Sequence, residues 1–388
     1  MHWRSNKYTM KYYCDSTKFL ENVRAIDKSL LTSNVSEANI AVIDESSISI
    51  DLSGVPKVIF FTTETIPKDT AWTNQMNWLI QRFNVLPAQL YFIATGLDLG
   101  HNGKILPFPL GSDRIFLFNY FFKQVVINNS LSGINFNYTV HRPKIFDCLL
   151  GARKPHRIFI YNRLIESGLL DKSLVNLNEG SPWEKNYFNV EEAHREILKG
   201  PGYTDIDHLP VYSSPELAQW EIPVVASFKE ETQNKFYSSE ITRKLTNQYG
   251  QHPQLSSLVP NEIYNNSYYS IVAETGGELS HFLSEKIAKP VFAKRVFVLF
   301  GSAGLLQHFR NMGFKTFDSI IDESYDNEES NLRRFTMAWE QCLKLASMDP
   351  VEVYNKLASV LGYNQQHLLN TDSELLKLQR FMEKPGTC

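Results

Sequence analysis

The sequence predicts an α/β fold of two domains, each built around a parallel sheet, with helices at the C-terminus. Short apolar runs alternate with stretches of helical spacing in two separate series, and the second series begins at Lys144. Such alternation is typical of parallel βαβ units. The length of 388 residues fits two domains of ordinary size.

The first series contains three predicted strands and one helix, at residues 38–44, 57–62, 89–94 and 71–83. The aromatic stretch of residues 115–126 is predicted to be helical, since its apolar residues continue for several turns. Residues 127–137 are rich in turn-forming residues and form the candidate linker. The first domain is therefore predicted to span residues 1–140.

The second series opens with a predicted strand at residues 144–150 and a basic turn. Pro155 suits the first position of the following helix, where no backbone donor is needed, and Gly168 suits its end. Further elements are predicted as three strands and one helix, at residues 223–227, 270–274, 295–300 and 305–312. Residues 141–330 form the second predicted domain, and residues 331–388 are predicted to be helices that brace both domains.

Composition excludes several classes of protein. A hydrophobic fraction of 43% argues against disorder, and a net charge of −3 gives no global attraction to nucleic acid or anionic lipid. The 4 cysteines are scattered, without the spacing of a metal site or a disulfide framework. We find neither a signal peptide nor a run long enough to span a membrane, so a cytoplasmic location is expected.

The first chemical constellation is the basic turn after the strand at residues 144–150. Arg153, Lys154 and Arg157 surround the start of a helix, whose free N–H groups and dipole attract anions. Arginine adds bidentate geometry suited to phosphate. These residues predict a diphosphate pocket, and a solvated basic turn is the alternative.

The second constellation joins the end of one strand to the start of the next helix. Glu274 closes the strand at residues 270–274, where α/β sheets bind ligands, and it is predicted to hold ribose or sugar hydroxyls. A purely capping glutamate is the alternative. Ser284 is a predicted N-cap, followed by Glu285 and Lys286 in the first turn. Lys286 opposes the helix dipole there, and an anionic ligand would remove that conflict.

In this order the pieces resemble the C-terminal half of fucosyltransferase-like glycosyltransferases with the GT-B architecture. The match covers residues 144–330 and includes Glu274, the segment Phe-Leu-Ser-Glu285-Lys286 and the strand ending at Gly301. The resemblance implies two Rossmann-like domains that face a cleft. It also implies that Glu285 binds ribose hydroxyls, while Lys286 and an arginine, matched here by Arg153 and Arg157, bind the diphosphate.

The resemblance does not specify the donor sugar, because Phe282 stands where the family has tyrosine and Thr275 follows the family's acid. The chain is also similar to sugar-transferase-like proteins encoded by large tailed phages and related viruses. The implied location is then the host cytoplasm. Residues 1–140 carry no such match, so the acceptor and the catalytic base do not transfer from the family.

We therefore expect a glycosyltransferase that moves a sugar from a nucleotide-diphosphate sugar to an acceptor hydroxyl. The acceptor is an envelope glycan or a hydroxymethylated base of viral DNA. The catalytic base is sought among acids and a histidine near strand ends of the first domain, with Glu64 first and then Asp98 and His101.

Neither a metal nor a cofactor is expected beyond the nucleotide sugar itself, since basic groups would stabilise the leaving diphosphate. We interpret the Asp-x-Asp spacing at Asp205 and Asp207 as chance. The rival hypothesis is a non-catalytic binding or assembly module on a degenerate transferase fold.

Overall fold

The computed structural model describes residues 11–16, 19, 28–44, 46–62, 65–66, 69–98, 112–152, 154–178, 212–213, 257–275, 280–370 and 372–383. The chain divides into two compact units. The first unit comprises Met1–Lys123 with Asn370–Cys388, and the second comprises Gln124–Leu369. Each unit contains a five-stranded, largely parallel sheet, so the predicted α/β fold with two parallel sheets is confirmed.

The first unit is built on a parallel sheet with the strand order β1-β2-β3-β5-β7. Its strands are β1 (Tyr12–Cys14), β2 (Ile40–Ile43), β3 (Lys57–Phe61), β5 (Leu90–Ala94) and β7 (Ile115–Leu117). Every residue of β2, β3 and β5 is buried. Strands of a parallel sheet are covered on both faces, which explains why they read as continuous apolar runs.

Two further strands of this unit, β4 (Thr65–Ile66) and β6 (Gly96–Asp98), pair in parallel. Helix α1 (Asp69–Phe83) connects β4 to β5, close to the predicted helix. Along the five-stranded sheet the strands follow one another in chain order. The described strands of the first unit therefore contain no point at which the strand order reverses.

The prediction of one helix over residues 115–126 is wrong. Residues Ile115–Leu117 pair with β5 as β7, and helix α2 (Tyr120–Asn128) begins only afterwards. The N–H of Phe118 extends the ladder by donating to the carbonyl of Ala94 at 2.9 Å. β-Branched and aromatic residues fit a buried sheet position as readily as a helix, so the apolar pattern alone did not distinguish the two.

The second unit has the strand order β10-β9-β8-β11-β13, in which only β10 runs antiparallel to its neighbour. The strands are β8 (Lys144–Ala152), β9 (Ser173–Asn178), β10 (Tyr212–Ser213), β11 (Ser267–Ala273) and β13 (Phe297–Phe300). A two-residue strand, β12 (Ser280–His281), lies between β11 and β13 in the chain.

The helices of the second unit follow the predicted positions closely, apart from α4, which the sequence analysis did not predict. They are α3 (Pro155–Glu166), α4 (Asn261–Asn266), α5 (Glu285–Phe292), α6 (Leu305–Asn311), α7 (Asn331–Ser347) and α8 (Pro350–Leu369). Gly168 and Gly313 adopt positive φ angles of 66° and 94° just beyond α3 and α6. Gly168 thus ends its helix as the sequence predicts, and Gly313 ends α6 in the same way.

The order of strands in the second sheet creates one topological switch point. β8 comes first in the chain, β9 lies on one side of it, and β11 lies on the other. The connections that leave β8 and β11 therefore diverge from the carboxyl ends of two adjacent strands. Open α/β sheets bind ligands in the crevice outside such a point.

The C-terminal region is helical as predicted, but it is shared between the units. Helices α7 and α8 belong to the second unit, whereas α9 (Asp372–Glu383) belongs to the first. Leu378 and Met382 of α9 are part of the first unit's core. Lys57 Nζ donates to the carbonyl of Phe381 at 2.6 Å, which anchors α9 at the start of β3.

In the part of the chain that the structure describes, no helix has both the length and the apolar character needed to cross a membrane.

Candidate functional site at the carboxyl edge of the second sheet

The connection from β8 to α3 supplies the first group of the site. Gly151 lies at a β-bulge, where the register against β9 shifts, and has a φ of 65°. Lys154 follows in extended conformation as the N-cap residue, and Pro155 takes the first helical position as predicted. From there Lys154 Nζ donates to the carbonyl of Thr275 at 3.0 Å, just beyond the end of the neighbouring strand β11.

The connection from β11 to α5 supplies the second group. Glu274 has no exposed surface, and its carboxylate binds the start of α5. Its Oε1 accepts from the N–H of Ser284 at 2.9 Å, and its Oε2 accepts from Ser284 Oγ at 2.5 Å. The N–H of Thr275 also donates to Oε2, at 3.1 Å. Burial raises the pKa of Glu274, and Lys286 and the Ser284 bonds offset part of that rise.

Helix α5 begins as the sequence predicts, with Ser284 as its N-cap. Ser284 Oγ accepts from the N–H of Lys286 at 3.2 Å, which satisfies a donor of the first turn. Lys286 Nζ then donates to Thr275 Oγ1 at 2.8 Å and to Glu285 Oε1 at 2.7 Å. The side chain of Lys286 is 23% exposed, whereas that of Glu285 is 8% exposed.

The two lysines therefore meet on one residue. Lys154 binds the carbonyl of Thr275 from the β8 side, and Lys286 binds its hydroxyl from the α5 side. These cations come from separate connections that leave adjacent strands at the switch point. Two ammonium groups so placed concentrate cations at the carboxyl edge of the sheet, and the carboxylate of Glu285, which Lys286 binds, offsets part of their charge.

Glu285 is surrounded by lysines of its own helix. Burial would raise its pKa, but Lys286 and Lys289 together lower the pKa below the ordinary value, so Glu285 is ionised at neutral pH. Burial lowers the pKa of Lys289 to about 8, although Glu285 opposes that shift. The sequence interpretation missed Lys289. Its spacing of four residues from Glu285 on a predicted helix was the available signal.

A buried histidine also supports the site and was not predicted. His156 Nε2 lies 2.9 Å from the carbonyl of Glu274, to which it donates, and the side chain is 1% exposed. Burial lowers the pKa of His156 well below its ordinary value, and Arg157 and Lys154 lower it further. His156 is therefore a neutral donor that joins the start of α3 to the end of β11.

The remaining predicted site residues are placed as follows. Arg157 is buried in the first turn of α3, and a Cβ on Gly151 would lie 3.7 Å from its Nη1. Asp98 is the last residue of β6, and the structure describes its backbone alone. The predicted residues Glu64, His101 and Arg153 lie outside the described part of the chain, as do Asp205 and Asp207, whose spacing we interpret as chance.

The turn from β13 to α6 is closed by a protein carboxylate. Gly304 takes a φ of 76° there. The N–H groups of Leu306 and Gln307 donate to the two carboxylate oxygens of Asp326 at 2.8 and 2.9 Å. Asp326 thus occupies the end of α6 where an external anion would bind, and it completes a tight strand-to-helix turn.

A second cluster of buried charged residues lies toward the amino ends of β8, β11 and β13. Asp147 Oδ2 accepts from Arg295 Nη2 at 2.7 Å, from Ser267 Oγ at 2.8 Å and from Ser270 Oγ at 2.9 Å. Arg295 Nη1 donates to the carbonyls of Ser267 and Tyr264 at 2.6 and 3.0 Å. The side chains of Arg295 and Asp147 are only 1% and 4% exposed.

A pocket of about 280 Å³ lies beside α8, lined among others by Tyr138, Lys294, Tyr354 and Leu361. The rings of Tyr138 and Tyr354 stack with centroids 3.3 Å apart. Tyr138 Oη donates to the carbonyl of Lys294 at 2.6 Å. None of the predicted site residues lines this pocket, so it is separate from the carboxyl-edge site.

No protein-family model matches the chain, and a comparison with curated proteins also finds no match.

Proposed function

We propose that this chain is a nucleotide-sugar-dependent glycosyltransferase of the GT-B type, with its donor site at the carboxyl edge of the second sheet. One observation carries the proposal: Lys154 and Lys286 converge on Thr275 at the topological switch point. A diphosphate is the ligand chemistry that two adjacent ammonium groups fit, because it carries negative charge on two linked phosphates.

Each residue then has a chemical role. Lys154 and Lys286, with Arg153 and Arg157 as predicted partners, neutralise the diphosphate and stabilise it as the leaving group. Glu285 is ionised, so its carboxylate can accept hydrogen bonds from a ribose diol. Glu274 and Ser284 lie behind these groups, and their bonds to one another hold the start of α5.

The acceptor and the base belong to the first unit in this proposal. An inverting transfer needs a carboxylate or a histidine to deprotonate the acceptor hydroxyl, with Glu64 as the first candidate and Asp98 and His101 as the next. The acceptor is an envelope glycan or a hydroxymethylated base of viral DNA, and the reaction takes place in the cytoplasm.

A non-catalytic binding or assembly module is the second candidate, and a specific observation favours it. Lys286 already binds Glu285 and Thr275, and Glu274 already accepts three hydrogen bonds. Such internal pairing would suffice for a purely structural cluster. A module of this kind would bind a nucleotide or none, and it would not turn over any nucleotide sugar.

A panel of nucleotide sugars separates the two candidates. We expect at least one nucleotide-diphosphate sugar to raise the melting temperature of the wild-type chain and to be consumed when an acceptor is present. Consumption should persist in EDTA, because protein cations rather than a metal stabilise the leaving group. Binding without consumption would support the binding module, and the absence of both would contradict the donor site. Activity lost in EDTA and restored by Mn²⁺ would overturn the metal-independent mechanism.

A further inference from the structure

We infer that Glu274 is a positioning residue, which holds Glu285 and Lys286 in place through Ser284 and does not itself contact the ligand. The inference rests on the proposed anion site. It adds to that site a residue that fixes the positions of the ligand-binding side chains.

The two residues Glu274 and Thr275 form a junction to which both neighbouring helices are tied. His156 and Lys154, at the start of α3, donate to the carbonyls of Glu274 and Thr275. At the start of α5, Ser284 is bound by the Glu274 carboxylate. The relative position of the two lysines therefore depends on this one peptide segment.

The Glu274 carboxylate is buried and bound by groups of the protein. It accepts three hydrogen bonds on its two oxygens, and the residue has no exposed surface. A ligand hydroxyl could reach it only after the packing that buries it was broken. Glu274 consequently acts on a ligand through the groups that it holds.

The bonds form a directed relay that requires a carboxylate. The N–H of Lys286 donates to Ser284 Oγ at 3.2 Å, and Ser284 Oγ donates onward to Glu274 Oε2 at 2.5 Å. An ionised carboxylate is acceptor-only, so it meets all of these donors. In Glu274→Gln one oxygen becomes an NH₂ donor that faces the N–H of Ser284 or of Thr275, so one of the three hydrogen bonds to this side chain is lost.

The relay also makes the site sensitive to pH. Glu274 is buried among titratable and charged groups of both helices: Lys154, His156, Arg157, Glu285, Lys286 and Lys289. A carboxyl whose pKa is raised by burial binds a proton at a higher pH than an ordinary glutamate. Protonation replaces an acceptor with a donor, so the relay weakens as the pH falls through that raised pKa.

The test compares wild type with Glu274→Gln, and inorganic pyrophosphate is the probe. At pH 7.5 we expect the variant to bind pyrophosphate about tenfold more weakly, the loss of one hydrogen bond to a charged group. As the pH is lowered, the affinity of the wild type should approach that of the variant, since both then lack the carboxylate. A role confined to overall stability would leave the ratio of affinities independent of pH.

Amide hydrogen exchange gives a second readout that requires no ligand. We expect the amides of Ser284 and Lys286 to exchange about tenfold faster in Glu274→Gln, while those of β8 keep their wild-type rates. Ser284→Ala retains the carboxylate and removes the relay, so it should reproduce the faster exchange of Lys286 if Glu274→Gln fails to fold.

The outcomes distinguish the two claims. If wild type binds pyrophosphate and Glu274→Gln binds it equally at every pH, the positioning role is wrong and the anion site stands. If wild type binds neither pyrophosphate nor any nucleotide, the proposed function fails. Amide hydrogen exchange then tests the positioning role by itself. Unchanged exchange rates at Ser284 and Lys286 in Glu274→Gln would overturn that role, and faster rates at these two amides would support it.

Discussion

Two buried acids on adjacent strands of one sheet serve contrasting purposes. Asp147 lies in β8 and is paired with Arg295, and both side chains are almost completely excluded from solvent. Glu274 follows β11 and is equally buried, but Lys154 and Lys286 donate to the next residue, Thr275. The first acid satisfies a buried base, and the second holds the start of α5 beside two lysines at the carboxyl edge of the sheet.

The basic residue beside each acid, arginine near Asp147 and lysine near Glu274, differs in the same way. The planar guanidinium of Arg295 distributes its donors over Asp147 and the carbonyls of Ser267 and Tyr264. Such a fork suits a closed, dry cluster. Lysine is a compact charge on a flexible stem, and Lys286 retains 23% exposure of its side chain. A buried ion pair near the amino ends thus suits a structural role, whereas partly buried lysines at the switch point suit the binding role that we propose.

The strongest test of this contrast is the removal of Asp147. Asp147→Ala leaves Arg295 buried without its counter-ion and should lower the free energy of unfolding by about 3–5 kcal/mol. Urea denaturation of the full chain, followed through the unfolding transition of the second unit, measures the change in the free energy of unfolding. Arg163→Ala is the control, because its ion pair with Glu166 is exposed and should contribute less than about 1 kcal/mol.

The milder variant Asp147→Asn should fold and bind pyrophosphate as the wild type does. An unfolding free energy for Asp147→Ala within 1 kcal/mol of the wild type, or a loss of pyrophosphate binding in folded Asp147→Asn, would break the contrast between the two regions.

The next test lowers the pH in order to protonate a partly buried histidine, His308 of α6, which follows β13 at the carboxyl edge of the sheet. Burial, with a smaller contribution from His281, lowers the pKa of His308 to about 4. The unfolded chain binds this proton near pH 6.5, so the contribution of His308 is complete above that pH and is lost as the pH falls toward 4. The loss amounts to roughly 3 kcal/mol.

His308→Gln removes this titration. Between pH 7 and pH 4 the wild type should therefore lose more stability than the variant, by up to about that amount, in urea denaturations at fixed pH. Parallel curves for the two proteins would show that His308 titrates normally in the folded state.

The sequence predicted those features that depend on neighbouring residues. The continuous apolar runs of β2, β3 and β5 identified strands covered on both faces, and the Ser-Glu-Lys start of α5 identified its N-cap. Pro155 at the start of α3 followed from local backbone chemistry in the same way. The error at residues 115–117 arose where a short apolar run fits a strand and a helix alike.

The features that depend on strand order could not be predicted in the same way. Lys154 and Thr275 are 121 residues apart and meet only because β8 and β11 are neighbours. The pair of Asp147 and Arg295 is 148 residues apart, although each is a charge next to or within an apolar run. Pairing such isolated charges would have suggested a buried ion pair, but not its position in the sheet.

The central claim is that the carboxyl edge of the second sheet binds a diphosphate through its lysines. Isothermal titration of a nucleoside diphosphate into wild type, Lys286→Ala and Lys172→Ala tests it most directly. Lys172 is an exposed lysine next to the start of β9, at the opposite end of that sheet, and it controls for general charge. We expect Lys286→Ala to bind more weakly by about 1.5–3 kcal/mol, the scale of a charge-assisted hydrogen bond, and Lys172→Ala to bind as the wild type does. Equal affinities for all three proteins would contradict the account.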